Sequence, residues 1–191
     1  MAGAHGGPTM RQDLIERARR GDRDAFGQLA ALEIDRMHAI ARLILRDSGL
    51  AEDAVQEALV RCWRQLPKLR DVANFDAWLY RILVRAAADE HGRRRRFVAS
   101  VQNLRLEPAV ADDTQGVANR DELEKVFGRL SLENRTVVVL HHYADLPLPL
   151  VAEALGIPPG TAKSRYHYAM ASLRAALEAD VRIAAVEGVR S

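Results

Sequence analysis

The chain has a single cysteine in 191 residues. That excludes an internal disulfide framework and any zinc site built on several cysteines. No apolar run approaches the roughly 18 residues that span a bilayer, so membrane insertion is not expected. The first ten residues, MAGAHGGPTM, lack the apolar core of a secretory signal, and 1–9 reads as a tail. These absences point to a cytoplasmic protein. Strand signals are missing as well: no stretch of six residues shows β-branched or aromatic alternation. There is no Gly-rich phosphate loop and no carboxylate constellation. Cys62 with a histidine would make a nucleophile and base. It falls in an apolar stripe, however, where a free cysteine is ordinarily a small buried hydrophobe. His141 and His142 are neighbours on a helix, point about 100° apart and do not chelate one metal together. No catalytic residue, metal ligand or cofactor is therefore assigned.

What is present is helical periodicity from end to end. Short helix 10–20 ends at Gly21, and a long helix carrying Phe26, Leu29, Leu32, Met37, Ile40, Leu43 and Ile44 stops at Asp47-Ser48-Gly49. A third helix, 51–65, places Val55, Leu59, Cys62 and Trp63 on one face. Pro67 closes it, and Asn74 is the expected cap of a fourth helix. That helix turns Phe75, Trp78, Leu79, Ile82 and Ala86 inward and ends at His91-Gly92. The segment 98–116 has no clear period and reads as a linker. Further helical pieces follow at 117–129, 132–143, 148–155 and 162–179. The expected fold is all-α, with two small helical domains, 10–97 and 117–180, joined by a flexible linker and followed by a tail, 181–191.

Net charge is only +2, with 28 Lys and Arg against 26 Asp and Glu. Its distribution is more informative. Arg93 to Arg96 is an unbroken block, and 161–174 carries Lys163, Arg165 and Arg174 with no acid. Acid gathers at Glu52, Asp53 and Glu57, at Asp112 and Asp113, and at Asp121, Glu122 and Glu124. Two basic patches and an acidic one suit two kinds of partner, although solvated helix faces would give the same pattern.

The second domain has the sharpest local signal. A short helix with Val151, Ala152 and Leu155 on one face meets the turn Gly156-Ile157-Pro158-Pro159-Gly160, and Thr161 is the expected cap of a longer helix. That is the helix-turn-helix pattern. Ala162, Tyr166, Ala169 and Leu173 should pack inward, leaving Lys163, Ser164, His167 and Tyr168 outward on the turns that enter a major groove. Arg165 and Arg174 suit phosphates.

At this point the residues resemble bacterial sigma factors. Ala51-Glu52-Asp53-Ala54-Val55-Gln56-Glu57-Ala58 is similar to their Asp-x-x-Gln-Glu signature. Phe75-Asp76-Ala77-Trp78-Leu79-Tyr80-Arg81-Ile82 and the arginine block resemble their promoter-melting helix. Gly160-Thr161-Ala162-Lys163-Ser164-Arg165 resembles the start of their recognition helix. The order, the spacing and the missing middle domain match the extracytoplasmic-function (ECF) group, over about 13–177 of the chain.

The resemblance implies core RNA polymerase, through its β′ clamp helices and β flap, and promoter DNA as partners. It also allows an anti-sigma factor that covers both domains. Asp53, Gln56 and Glu57 would bind polymerase from the face of the third helix opposite Val55. Acids in a first helical turn also gain about 0.3–1 kcal/mol from the helix dipole, but Gln56 does not. The minus-ten element would be captured and melted by Lys68, Arg70, Asn74, Trp78, Tyr80, Arg81 and Arg85, with Arg93, Arg94, Arg95 and Arg96 on phosphates. Trp78 and Phe75, as aromatics at helical spacing, are more often core residues. Thr161, Lys163, Ser164, Arg165, His167 and Tyr168 would meet the minus-thirty-five element, and the acidic 106–113 would imitate nucleic acid in the polymerase cleft.

Three features depart from the family's pattern. Leu146-Pro147-Leu148-Pro149 replaces the usual Ser or Thr cap, which a first helical turn tolerates. His167-Tyr168-Ala169-Met170 stands where further arginines are common. Tyr166 occupies a frequent Leu position, so its hydroxyl needs a partner if it is buried. A stand-alone helix-turn-helix regulator is the alternative. It accounts for the second domain and leaves Gln56-Glu57 and the arginine block unexplained.

Overall fold

The computed structural model describes residues 8–104 and 127–188, and over these the chain is helical. Four helices come first: α1 (Pro8–Arg19), α2 (Arg23–Leu45), α3 (Ser48–Gln65) and α4 (Phe75–Leu104). Two short 3-10 turns, Leu66–Lys68 and Val72–Asn74, lie between α3 and α4. Three helices follow: α5 (Leu132–His142), α6 (Leu148–Leu155) and α7 (Pro159–Gly188). Two compact units result, and the chain passes from the first to the second between Arg95 and Arg96, inside α4.

In the first unit the turn between α1 and α2 depends on Gly21, whose φ of +95° is a conformation that side chains resist. Asp22 caps α2 by accepting from the Ala25 N–H at 3.0 Å, and it also accepts from Arg17. The Ala25 N–H first, and then Arg17, hold the Asp22 carboxyl below its ordinary pKa. At the far end of α2 the left-handed Arg46 reverses the chain, and Asp47 caps α3 by accepting from the Leu50 N–H. Small residues line the buried face of α3: Ala51, Ala54, Val55, Ala58 and Cys62. They let it pack closely on α2, which buries Leu29, Met37, Ile40, Ala41 and Ile44. Leu14 and Ile15 of α1, and Phe75, Leu79, Ile82 and Leu83 of α4, fill the rest. Phe26 meets Trp63 at a ring distance of 5.0 Å. Leu32 and Leu43 are exposed on the outer side of α2.

One ion cluster crosses this unit. Arg11 of α1 donates to Glu33 of α2 at 2.8 Å and also to Asp76 of α4, with its guanidinium 5.2 Å from the Phe75 ring centre. Glu33 is buried, and Arg11 supplies it with a hydrogen bond and an opposite charge.

The second unit is held by Leu130, Val138, Ala169, Leu173 and Ala176, with Phe127 and Met170 at its edge. Ser131 caps α5 by accepting from the Asn134 N–H. The buried Arg135 donates to the carbonyls of Phe127 and Leu130, tying the preceding turn to α5.

Several expected boundaries move. The fourth helix does not stop at His91-Gly92: Gly92 lacks the positive φ of a terminating glycine, and α4 continues to Leu104. A mid-helix glycine costs only about 1 kcal/mol, and flanking helix formers can absorb that. The start of the expected linker, 98–104, is therefore helical, as is 181–188 of the expected tail. Thr161 does not cap the last helix. Pro159 opens α7, the Pro158 carbonyl accepts from the N–H groups of Thr161 and Ala162, and Thr161 lies within the first turn. Proline suits that opening position because the missing N–H would have had no helical partner. Asn74 does not cap α4 either; its side-chain amide donates to Asp71, which caps the preceding turn. Residues 105–126 lie outside the described residues. They include the acidic 106–113, the rest of the linker, the acids Asp121, Glu122 and Glu124, and nearly all of the helix expected at 117–129.

Removing Arg11 leaves the Glu33 carboxylate buried without compensation. Arg11→Met is expected to lower unfolding free energy by about 2–3 kcal/mol in a urea titration, less than a fully buried pair because Arg11 is partly exposed. Adding Glu33→Leu should recover part of that loss; a purely additive further loss would show that the carboxylate was not the source.

Candidate functional site

On α3 the polar face emerges because the small apolar face is buried. Asp53 and Gln56 are exposed, and Glu57 is half-exposed. Glu57 accepts from the Nε of Arg61 at 2.8 Å, one helical turn later. Arg61 also meets Asp89 of α4 at 2.8 Å. Residue spacing alone did not reveal this second pairing, which joins residues 28 apart in sequence and becomes visible only when α3 and α4 pack.

The loop before α4 presents Lys68, Arg70 and Asn74 to solvent. Its course is fixed by Leu66 and Leu69, both buried, and by Arg19, which donates to the Leu69 carbonyl at 3.1 Å. On α4 itself, Arg81 is half-exposed and Arg85 exposed. Arg93, Arg94, Arg95 and Arg96 are all exposed, and Arg93 pairs with the nearly buried Glu90. Helical continuation past Gly92 winds these arginines around the α4 axis instead of extending them along a loop.

Two expected strand contacts are instead core residues. Tyr80 is 1% exposed, with the Arg36 guanidinium 5.8 Å from its ring centre. Its hydroxyl has no hydrogen-bond partner among the described residues, and burial pushes its pKa up. Trp78 is 8% exposed and packs on Phe75 with ring centres 5.7 Å apart. The physical reason is α4's inward arc, which is wide enough at its first turns to take in Ala77, Trp78, Leu79 and Tyr80 in succession. Cys62 is buried as its stripe predicts, and desolvation pushes its thiol up to about 12, which keeps it protonated and unreactive.

Helix α6 ends in a Schellman turn. Gly156, at φ +64°, donates to the Glu153 carbonyl, and Ile157 donates to that of Ala152. The start of α6 survives without a side-chain cap, since the Pro147 carbonyl accepts from Leu150 and Val151. On α7, Lys163, Ser164, His167 and Tyr168 face outward, with Tyr168 67% exposed. Thr161 and Arg165 are half-exposed. Ser164 donates to the Thr161 carbonyl at 3.0 Å, so its hydroxyl presents lone pairs outward.

Tyr166 is half-buried, not fully inward. Its hydroxyl is 3.1 Å from Nε2 of His142, and its ring meets that of His141 edge-on. His141 is itself anchored through Nδ1 to the Leu146 carbonyl at 2.8 Å. The two histidines thus brace α7 from α5, a contact that sequence reading did not assign. Among the described residues no group of three or more His, Cys, Asp or Glu is arranged to hold a metal ion, and no helix is long and apolar enough to cross a membrane.

These surfaces define a helix-turn-helix DNA-binding protein that carries a second helical unit with an acidic and a basic face. Residues 30–97 match Sigma-70 region 2, and residues 120–173 match Sigma-70 region 4. The chain is 35% identical over 153 residues to the ECF RNA polymerase sigma factor SigM of Mycobacterium tuberculosis, covering 80% of this chain and 77% of SigM. Its fold is similar to CnrH solved with the cytosolic domain of CnrY, at a TM-score of 0.65 and 26% identity, covering 90% of this chain and 99% of that one. It is likewise similar to the sigma factor RpoE of Bartonella quintana solved with the anti-sigma factor NepR, at a TM-score of 0.67 and 26% identity, covering 81% and 98%.

The chain belongs to the ECF RNA polymerase sigma factors of the sigma-70 family. It associates with core RNA polymerase and promoter DNA and directs transcription initiation. Two sigma regions in order do not favour the stand-alone regulator.

If Tyr80 is core, deleting its hydroxyl relieves a buried polar group that has no partner. Tyr80→Phe is expected to raise unfolding free energy by about 1 kcal/mol and leave promoter melting unchanged. A melting defect without a stability change, followed by permanganate footprinting, would return Tyr80 to the DNA surface.

Proposed function

We propose that Asp53, Gln56 and Glu57 on α3 dock the domain expected at 10–97 on the β′ clamp helices of polymerase. The exposure of this polar face above a buried alanine-rich one carries the reading. Carboxylates and an amide held on a rigid helix suit arginine and lysine side chains of a partner helix. The same unit meets the minus-ten element with Lys68, Arg70 and Asn74 of the loop and Arg81 and Arg85 of α4. Arg93, Arg94, Arg95 and Arg96 hold phosphates, which supplies affinity without sequence information.

The second unit, 117–180, seats on the β flap and reads the minus-thirty-five element through Lys163, Ser164, His167 and Tyr168, with Thr161, Arg165 and Arg174 on the backbone. Polymerase carries out the chemistry, and this chain selects where it begins, as a cytoplasmic subunit without catalytic residues of its own. CnrH and RpoE were each solved with a partner, CnrY and NepR, and an anti-sigma factor is a corresponding partner here.

Asp53→Lys with Gln56→Ala is expected to abolish retention on purified core polymerase while the thermal transition stays in place; unchanged retention would remove α3 from the docking surface. Lys163→Ala with His167→Ala should cut transcription at promoters that need the upstream element by about tenfold or more, given about 1–3 kcal/mol per lost base contact. Polymerase binding should persist, and its loss in that variant would point to misfolding instead.

A further inference from the structure

One ion cluster joins the two helices of the first unit that carry different proposed tasks. Arg61 of α3 donates from Nε to Oε1 of Glu57 at 2.8 Å, and its Nη2 lies 2.8 Å from Oδ2 of Asp89 on α4. The side-chain exposures rise outward, from 25% for Arg61 to 39% for Glu57 and 54% for Asp89. The cation therefore sits low, with a carboxylate on either side reaching toward solvent. A planar guanidinium can satisfy two carboxylates at fixed angles, whereas an ammonium acts as a point charge. One cation between two carboxylates leaves the cluster with a net charge of −1, so it still attracts a basic partner. The bond to Arg61 uses Oε1 of Glu57, and a carboxylate has lone pairs on both oxygens, so Oε2 keeps its capacity to accept.

We infer that Arg61 is a positioning residue for polymerase docking: it holds the Glu57 carboxylate in its outward orientation, and Asp89 of α4 anchors Arg61 in turn. The inference rests on the proposed docking role of Glu57 and adds the residues that prepare it. A glutamate already fixed on the helix surface loses less rotational freedom on docking than a free one. The anchor on α4 also makes the docking face sensitive to how α3 and α4 pack.

The test is a titration of full-length chain against purified core RNA polymerase, with a thermal melt for every variant. Arg61→Gln is expected to weaken binding by about fivefold, the scale of one side chain losing its pre-ordering. Arg61→Lys should fall between, and Asp89→Asn should weaken binding in the same direction by a smaller factor. Glu57→Gln should also weaken binding, and Arg61→Gln should add nothing to it. An undiminished effect of Arg61→Gln in the Glu57→Gln background would overturn the inference, because Arg61 would then act on the fold or touch polymerase directly. Unchanged affinity in Arg61→Gln beside a clear loss in Glu57→Gln would overturn it as well. Unchanged affinity in Glu57→Gln would remove the docking role of Glu57 and the inference with it. Should Arg61→Gln fail to fold, Arg61→Lys and Asp89→Asn carry the same comparison.

Discussion

Burial of α4 constrains everything the first unit can offer a partner. Phe75, Ala77, Trp78, Leu79, Tyr80, Ile82, Leu83, Ala86 and Ala87 all face the interior, so the early turns of the helix have little side chain left for solvent. What remains outward includes the half-exposed Arg81, the exposed Arg85 and Asp89, and then the arginines beyond the core. The same burial fixes the loop before α4, because Leu66 and Leu69 must enter the core for Phe75 to reach it. Lys68, Arg70 and Asn74 are exposed as a consequence. A helix that served DNA along its whole length would forfeit the packing that holds it in register with α2 and α3.

The Arg11 cluster belongs to the same constraint. It pins α1 and α2 to the first turn of α4, where Asp76 follows Phe75. Desolvation works against the Arg11 charge, but Asp76 and Glu33 more than offset it and raise its pKa above the usual value. A partly buried ion cluster of this kind gives little net stability compared with an apolar replacement. The Arg11 contacts to Glu33 and Asp76 exist only in this register of α1 against α2 and α4.

Much of this was legible in the sequence because it is periodic. Val55 and Cys62 face inward and Asp53 and Gln56 outward, as three-and-four spacing requires. The helix-turn-helix was legible for a different reason: Gly156 and Pro159 each suit one backbone position, a left-handed C-terminal residue and a first helical residue. What failed was local punctuation read without context. Gly92 looked like a stop and is interior, and Thr161 looked like a cap and is already helical. Tyr80 looked available from its place in the helix that resembles the promoter-melting one, but exposure depends on the width of the buried arc, which spacing alone does not set. The pairs Arg61–Asp89 and His142–Tyr166 join residues far apart in sequence, and only packing brings them together.

The two units divide affinity and discrimination unevenly on the proposed reading. The outward turns of α7 carry one lysine beside His167 and Tyr168, whereas the end of α4 carries four arginines in succession. Phosphate neutralisation sets the slope of binding against salt, so most of that slope belongs to the first unit. The second unit must then act through shape and hydrogen bonding, which demand a helix that does not rock. Tyr166 supplies that stiffness: it is wedged on α7 against His141 and His142 of α5, and His141 is tied in turn to the carbonyl of Leu146. A leucine there would bury more cleanly, but it could not take the hydrogen bond that links α7 to α5. The tyrosine thus replaces part of the hydrophobic anchoring with a directional one, in the helix proposed to read bases.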